Sequence, residues 1–182
     1  PASAPASAPR EPRQAPRAPA GASARAETPI DKLASSALTD NDFADYVKAM
    51  KQGKLIFHGD DLYHYADNAH TWAKICDAII DNLLSGDVYQ EILTYILKEQ
   101  EVQNSRAREA LAPLLKSIVG KLRNVAPRKA IIQAIKNITR LEGDIFDMSP
   151  HLFGFKNGVY DLREQQFRPG QPDDMITQSC GY

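Results

Sequence analysis

Between Leu152 and Leu162 two short apolar runs flank the pair Asn157-Gly158. Asn and Gly accept the positive φ of a tight hairpin turn at little steric cost, so this stretch is confined to a turn between short strands. The strands read as Leu152 to Phe155 and Val159 to Leu162, with Phe167-Arg168 as a short third. The segment from residue 146 onward is therefore a β meander, and helices must be sought upstream of it.

Upstream, apolar residues recur at helical spacing. Phe43, Tyr46, Val47 and Met50 form one stripe, with Thr39-Asp40 as N-cap residues and Gly53 as the stop. Leu55 to Phe57 and Leu62 to Tyr65 flank His58-Gly59-Asp60-Asp61 and read as a small N-terminal β-hairpin. Trp72, Ile75, Cys76, Ile79, Ile80 and Leu83 read as a helical stripe ended by Gly86. The stretch from Val88 to Leu97 is apolar on most sides and suits a central helix. Another helix is expected from about Ser105 to Asn124, with Leu111, Leu114, Leu115, Ile118, Val119 and Leu122 inward and Pro113 kinking or restarting it. A last one begins at Pro127, a favoured first-turn residue, and runs to about Leu141. The fold class is α+β, mainly α, with about five helices, an N-terminal hairpin and a C-terminal hairpin or meander.

The first residues are different in kind. Residues 1–29 are Pro, Ala, Ser and Arg with almost no large apolar side chain. Such a stretch cannot bury enough surface to offset the entropy of ordering. The chain thus divides into a disordered linker at 1–38 and one domain at 39–182, helical over 39–145 and β-rich over 146–182. The four arginines of the linker could touch nucleic acid, but a soluble tether accounts for them as well. No apolar run approaches the roughly 20 residues that span a bilayer, so no membrane partner is expected. Two cysteines, Cys76 and Cys180, are too few for a disulfide framework and favour a reducing, intracellular setting. The chain begins with Pro, lacks a leader pattern, and reads as a piece of a longer protein.

Charge is unevenly placed. Residues 40–101 carry five basic and twelve acidic side chains, whereas residues 102–141 carry nine basic and one acidic. At about 100° per residue, Ile131, Ile135 and Ile138 share one side of the last helix. Lys129, Gln133, Lys136 and Arg140 form a stripe on the other, and Lys116, Lys121, Arg123 and Arg128 add charge nearby. A cationic stripe of this kind can follow phosphates, so these seven cations are the candidate DNA contacts. The competing reading is an ordinary helix face paired with acids of residues 40–101 or of a neighbouring subunit.

Other chemistries find less support. His58, His64, His70 and Cys76 recur every six residues, but they fall on a hairpin, a loop and an apolar stripe, a poor basis for four converging zinc ligands. Asp77 and Asp81 lie one helical turn apart, opposite the Ile75/Ile79 face, which suits plain solvation; Asp60-Asp61 and Asp173-Asp174 are adjacent pairs. A metal-dependent nuclease would need several such groups to converge. No metal site and no nucleophilic triad is assigned. Asn137-Ile138-Thr139 fits the glycosylation triplet but sits on an amphipathic helix. Gly120-Lys121 is followed by Leu122, with Leu115 where a P-loop needs its first Gly, so this segment carries no phosphate-binding loop.

The β-rich third resembles the domain that precedes the superfamily-three helicase core in poxvirus-type primase–helicases of large DNA viruses, phages and plasmids. The resemblance runs through Phe146-Asp147, Leu152, Phe155, Asn157-Gly158-Val159, Asp161-Leu162, Arg168-Pro169, Asp174, Ile176-Thr177 and Tyr182. The family often has a Thr-Gly type turn where this chain has Glu164-Gln165-Gln166, which leaves the second hairpin's geometry open. Phe155, Asn157, Gly158, Asp161 and Leu162 are the structural motif: Asn157 and Gly158 shape the turn, and Asp161 caps or bonds locally. The resemblance implies a replicative DNA helicase as the parent, often with an upstream primase, assembled as a ring, usually a hexamer. ATP and Mg2+ would then belong to a downstream helicase domain, with no cofactor and no catalytic residue in this segment. On that reading this domain is a collar that joins an upstream arm to the ATPase ring, with DNA as partner, at sites of viral or phage replication. A protein-interaction scaffold without a nucleic-acid role and, further behind, a metal-dependent nuclease are the alternatives.

Overall fold

The computed structural model describes residues 27–102 and 105–181. The expectations for residues 1–26, for Tyr182 and for the Leu111 side chain fall outside what is described.

Helical order begins earlier than Thr39. Helix α1, Pro29–Ser35, lies inside the stretch read as linker. Its start is coded locally: Thr28 and Asp31 form a capping box, and Pro29 occupies the first turn, where a missing N–H costs nothing. Leu33 is the residue it buries. Helix α2, Asp40–Lys51, repeats the device with Thr39 and Asp42 and inserts Phe43, Ala44, Tyr46 and Val47 into the core. It ends at Gln52 in the left-handed conformation, followed by Gly53 at φ 79°.

The expected hairpin is present as β1, Leu55–His58, and β2, Asp61–Ala66. A third strand, β3, Thr71–Ile75, pairs antiparallel with β2. Trp72 and Ile75 are therefore strand residues, not the start of a helix. The apolar spacing fits both, and cross-strand packing decides: Trp72 lies opposite Tyr65, their rings 5.6 Å apart edge to face, and both are buried with Ile56. Helix α3, Asp77–Leu83, follows with Cys76 as its exposed N-cap.

Gly86 does not end that helix. It lies in a π turn, Leu84–Val88, that carries α3 directly into α4, Tyr89–Val102, so the described residues form five helical rods. The wider turn keeps both Leu84 and Val88 fully buried. Helix α5, Ser105–Leu122, contains Pro113 without being restarted by it. Helix α6, Val125–Ile138, has Pro127 in its first turn and stops before Leu141. Thr139 closes it, its hydroxyl and its N–H both donating to the Ile135 carbonyl. Arg140 and Leu141 then form β4, parallel to β1, where a helix end was expected.

The first sheet thus has the order β3-β2-β1-β4. Helices α2 to α6 pack one large core of Phe43, Val47, Leu84, Ile96, Leu122, Ile131 and Ile135 with Leu55, Phe57 and Leu62 of the sheet. The meander forms a second sheet: β5, Leu152–Phe155; β6, Gly158–Asp161; and β7, Gln166–Arg168. A final strap, residues 169–181, ties the sheets together. Trp72 Nε1 donates to the Pro172 carbonyl at 2.8 Å, the Trp72 N–H to Ile176 O at 2.8 Å, and the Cys180 N–H to Gly154 O at 2.8 Å. Ile145, Phe146 and Met175 cover Trp72 and Tyr65 from that side.

Candidate nucleic-acid interface

The seven candidate cations do not form one free stripe. Arg128 is buried, 8% exposed. Its Nε and Nη2 donate to the two Asp81 oxygens at 2.6 and 2.9 Å, and Nη1 donates to Leu122 O at 3.0 Å. One guanidinium thereby joins α3, the end of α5 and the start of α6. It holds the Asp81 carboxyl below the usual carboxylate range. Lys136 donates to Asp77 at 2.7 Å and lies over the Phe57 ring, 5.6 Å from its centre. Because Asp77 meets Lys136 while Asp81 meets Arg128, α3 runs antiparallel to α6. Lys121 donates to Asp40 at 2.5 Å, joining α5 to the first turn of α2. All three acids come from residues 40–101, so for Arg128, Lys136 and Lys121 the pairing with acids of that segment is what the fold uses. Asp77 and Asp81 are accordingly ion-paired across helices and not simply solvated.

The other four are exposed. Arg123 lies over the Tyr89 ring at 5.3 Å and Arg140 over Phe57 at 4.8 Å, each with its charge open to solvent. Lys116 and Lys129 are exposed, and Lys129 lines a groove of about 430 Å³ with Val125, Ile132 and Gln133 between α3 and α6. The C-terminal end of α6 is sealed from the far side, where Lys48 Nζ donates to Ile138 O at 3.1 Å.

The turn motif is shifted by one residue from its expected place. The two-residue loop is Lys156-Asn157, and Gly158 is already the first residue of β6, paired with Phe155. Gly is required there: φ is +155°, and a Cβ would sit 2.5 Å from Arg168 O and 2.8 Å from the Phe167 ring. Asp161 accepts from the N–H groups of Arg163 and Glu164 at 2.8 and 3.3 Å, the local bonding expected of it. The second hairpin keeps its shape without the family's glycine, because Gln165 itself adopts a left-handed φ of 51°. Phe155 is half-buried against Phe167, Asn157 is exposed, and the Leu162 N–H donates to His151 O at 2.9 Å.

One pair escaped notice in the sequence. Arg168 grips Asp174 through two bonds of 2.8 and 2.6 Å, and the Gln171 N–H adds a third at 2.8 Å. Burial pushes the Asp174 carboxyl up, but the bonds from Arg168 and the Gln171 amide outweigh it, and the group lies below its ordinary value. The only sequence signal was an Arg-Pro followed by a Pro-Asp-Asp turn. The remaining carboxylates and histidines are dispersed. Asp61 pairs with Lys74, His58 faces Leu141 O, and among the described residues no three His, Cys, Asp or Glu gather for a metal ion. Among the same residues no helix is long and apolar enough to cross a membrane.

Residues 43–182 match the family described as D5 N terminal like. The match takes in α2 through the strap. The chain is 28% identical over 127 residues to a "putative helicase" of Acanthamoeba polyphaga mimivirus, covering 65% of this chain and 13% of that protein. It is 49% identical over 35 residues to a protein of the same description in Frog virus 3 (isolate Goorha), 19% of this chain and 4% of that one. A third, in Invertebrate iridescent virus 6, is 33% identical over 66 residues, 35% of this chain and 7% of that one. The chain therefore spans a small fraction of the length of these relatives.

Proposed function

Because the chain belongs to the family described as D5 N terminal like, we propose that it is the helicase-associated, non-catalytic connector of a larger viral-type replication protein. The observation that carries this reading is the family match over residues 43–182, all of the described fold except α1 and the first turn of α2, together with relatives named as helicases that extend far beyond it. The connector would couple an upstream module, in some parents a primase, to an ATP-dependent helicase ring, a hexamer on this reading. The internal build suits the task. Arg128, Lys121 and Lys136 lock α2, α3, α5 and α6 into one body, and a rigid body transmits a push where a loose one absorbs it. Lys116, Arg123, Lys129 and Arg140 remain to meet the DNA phosphates.

The test is a titration of the chain with DNA at two salt concentrations. Charge reversal at Lys129 and Arg140 should weaken binding and flatten its salt dependence, and unchanged binding in both respects removes DNA contact from the proposal. ATP and Mg2+ would be handled by the parent's helicase domain, so the chain alone should hydrolyse no ATP. It should also leave DNA uncut in the presence of magnesium or manganese. A protein-interaction scaffold is the second reading. It is favoured by the consumption of three candidate cations in internal pairs, and the same titration decides between the two.

A further inference from the structure

The register of the second sheet places Phe153 opposite Tyr160 and Tyr160 opposite Phe167. Directly opposed residues share a face, as do residues two apart on a strand. Phe153, Phe155, Tyr160 and Phe167 therefore lie on one side, with Gly158 among them. The other side carries Gly154, Val159 and Arg168, and it is this side that the strap covers: Val159 is fully buried, and a Cβ at Gly154 would meet Ile176 and Gln178. Among the described residues the aromatic side has no such cover. Phe153, on β5, is 44% exposed and Phe167, on β7, 45%; they flank the half-buried Tyr160 of the central strand, so the row presents two large rings to solvent. Gly158 has a specific part in this, because the Phe167 ring lies against its bare backbone and meets Phe155 edge to face at 5.9 Å.

Charge around this face is selected. Lys156, in the β5–β6 turn, and Arg163, in the β6–β7 turn, stand at opposite ends of β6, both exposed and in no ion pair among the described residues. Of the nearby acids, Asp174 is paired with Arg168; Asp161, two residues from Val159, falls on the strap-covered side, Asp147 lies beside Gly154 and Ile176 there, and Asp173 belongs to the strap, so Glu164 is the exposed carboxylate next to Arg163. Aromatic rings set side by side across three strands, with a cation beyond each end of the central strand, fit stacked bases whose phosphates follow the direction of β6. A purely apolar partner would leave both cations without a counterpart.

We infer that the outer face of the β5–β6–β7 sheet is a stacking platform for single-stranded nucleic acid, with Lys156 and Arg163 taking phosphates at its two ends. The inference deepens the connector reading by giving it a preferred strand state. It rests on that reading only for the nature of the ligand.

The experiment measures anisotropy of a fluorescein-labelled oligo(dT) and of a labelled duplex with the 182-residue chain at two salt concentrations. Phe153→Ala and Phe167→Ala should each weaken oligo(dT) binding roughly five- to one-hundred-fold with the salt slope unchanged, since a ring contributes stacking and no charge. Phe153→Trp should retain binding and have its fluorescence quenched by oligo(dT). Lys156→Gln should lower the magnitude of the salt slope by about 0.7, one single-strand phosphate contact. Circular dichroism establishes that each variant is folded. Folded Phe variants that bind like the parent chain overturn the platform. So does a duplex affinity with the same dependence on Phe153 and Phe167, or a change of sedimentation with no change of DNA affinity, which would assign the face to a second copy of the chain. The connector reading is tested by the ATPase of the longer protein, so it can stand when the platform falls.

Discussion

Arg128→Met should cost the folded chain about 2–4 kcal/mol. The guanidinium is 8% exposed and makes three hydrogen bonds, two to Asp81 and one to Leu122 O. Met keeps much of the volume and none of the donors. The substitution strands the Asp81 carboxylate against α6 and leaves the Leu122 carbonyl unpaired. Removing one partner of a buried pair costs about 3–5 kcal/mol. The Asp81 side chain is 29% exposed, so water recovers part of that, which gives the lower figure. With a urea m-value of about 2 kcal/mol/M, the middle of the usual range, the unfolding midpoint should fall by roughly 1–2 M. Urea titration followed by far-ultraviolet circular dichroism reads this directly. Asp81→Leu should also destabilise, while the double variant should recover about 1–3 kcal/mol of the summed loss. A loss below about 0.5 kcal/mol, or strictly additive single losses, would refute the keystone role of Arg128. Folded Arg128→Met should keep the parent's salt slope for DNA, because this cation is spent inside the protein.

Four further outcomes follow from the fold. Gly158→Ala should destabilise the chain by more than about 2 kcal/mol and loosen the second sheet in hydrogen exchange, because its Cβ collides with Arg168 O and the Phe167 ring. Gln165→Gly should stabilise by up to about 1 kcal/mol in urea titration, relieving a left-handed φ on a residue with a Cβ. The urea midpoint should fall as pH drops from 7 to 3. Burial, then the nearby Lys51, hold His64 below its ordinary value of 6.5, and Asp81 and Asp174 lie below theirs. In all three cases the unfolded chain takes the proton first, so the stabilisation is complete above the unfolded pKa and is lost as pH falls through the folded one. Arg168→Gln should flatten the acidic part of that curve.

The meander was legible because turn chemistry is local: Asn157-Gly158 marked the hairpin, and only the loop register differed by one residue. The N-caps at Thr39 and the stripe of α6 were legible for the same reason. Trp72 and Ile75 were not, because their spacing suits a helix as well as a strand and only Tyr65, across the sheet, decides. Helix α1 was hidden by its Pro-rich surroundings, although Thr28, Pro29 and Asp31 spell a capping box. Glycine often ends a helix, but around Gly86 both Leu84 and Val88 are buried, and the backbone widens into a π turn instead of breaking. The candidate site was half legible. The excess of cations is a sequence property, but which of them face acids is a property of how α3 and α5 pack on α6. The aromatic face was invisible until the register was known: Phe153, Tyr160 and Phe167 recur every seven residues, a spacing that by itself suits a helix face, and only the two turns set them side by side across three strands.

The central claim is that this folded unit lends its shape to a motor carried elsewhere on the same polypeptide. Sequencing the reading frame beyond codon 182 tests it most directly. The account predicts a G-x-x-x-x-G-K-[ST] loop between a strand and a helix, followed by acidic metal ligands, and ATP hydrolysis by the full product. A frame that continues without such a signature, or a full product that hydrolyses no ATP, would contradict it.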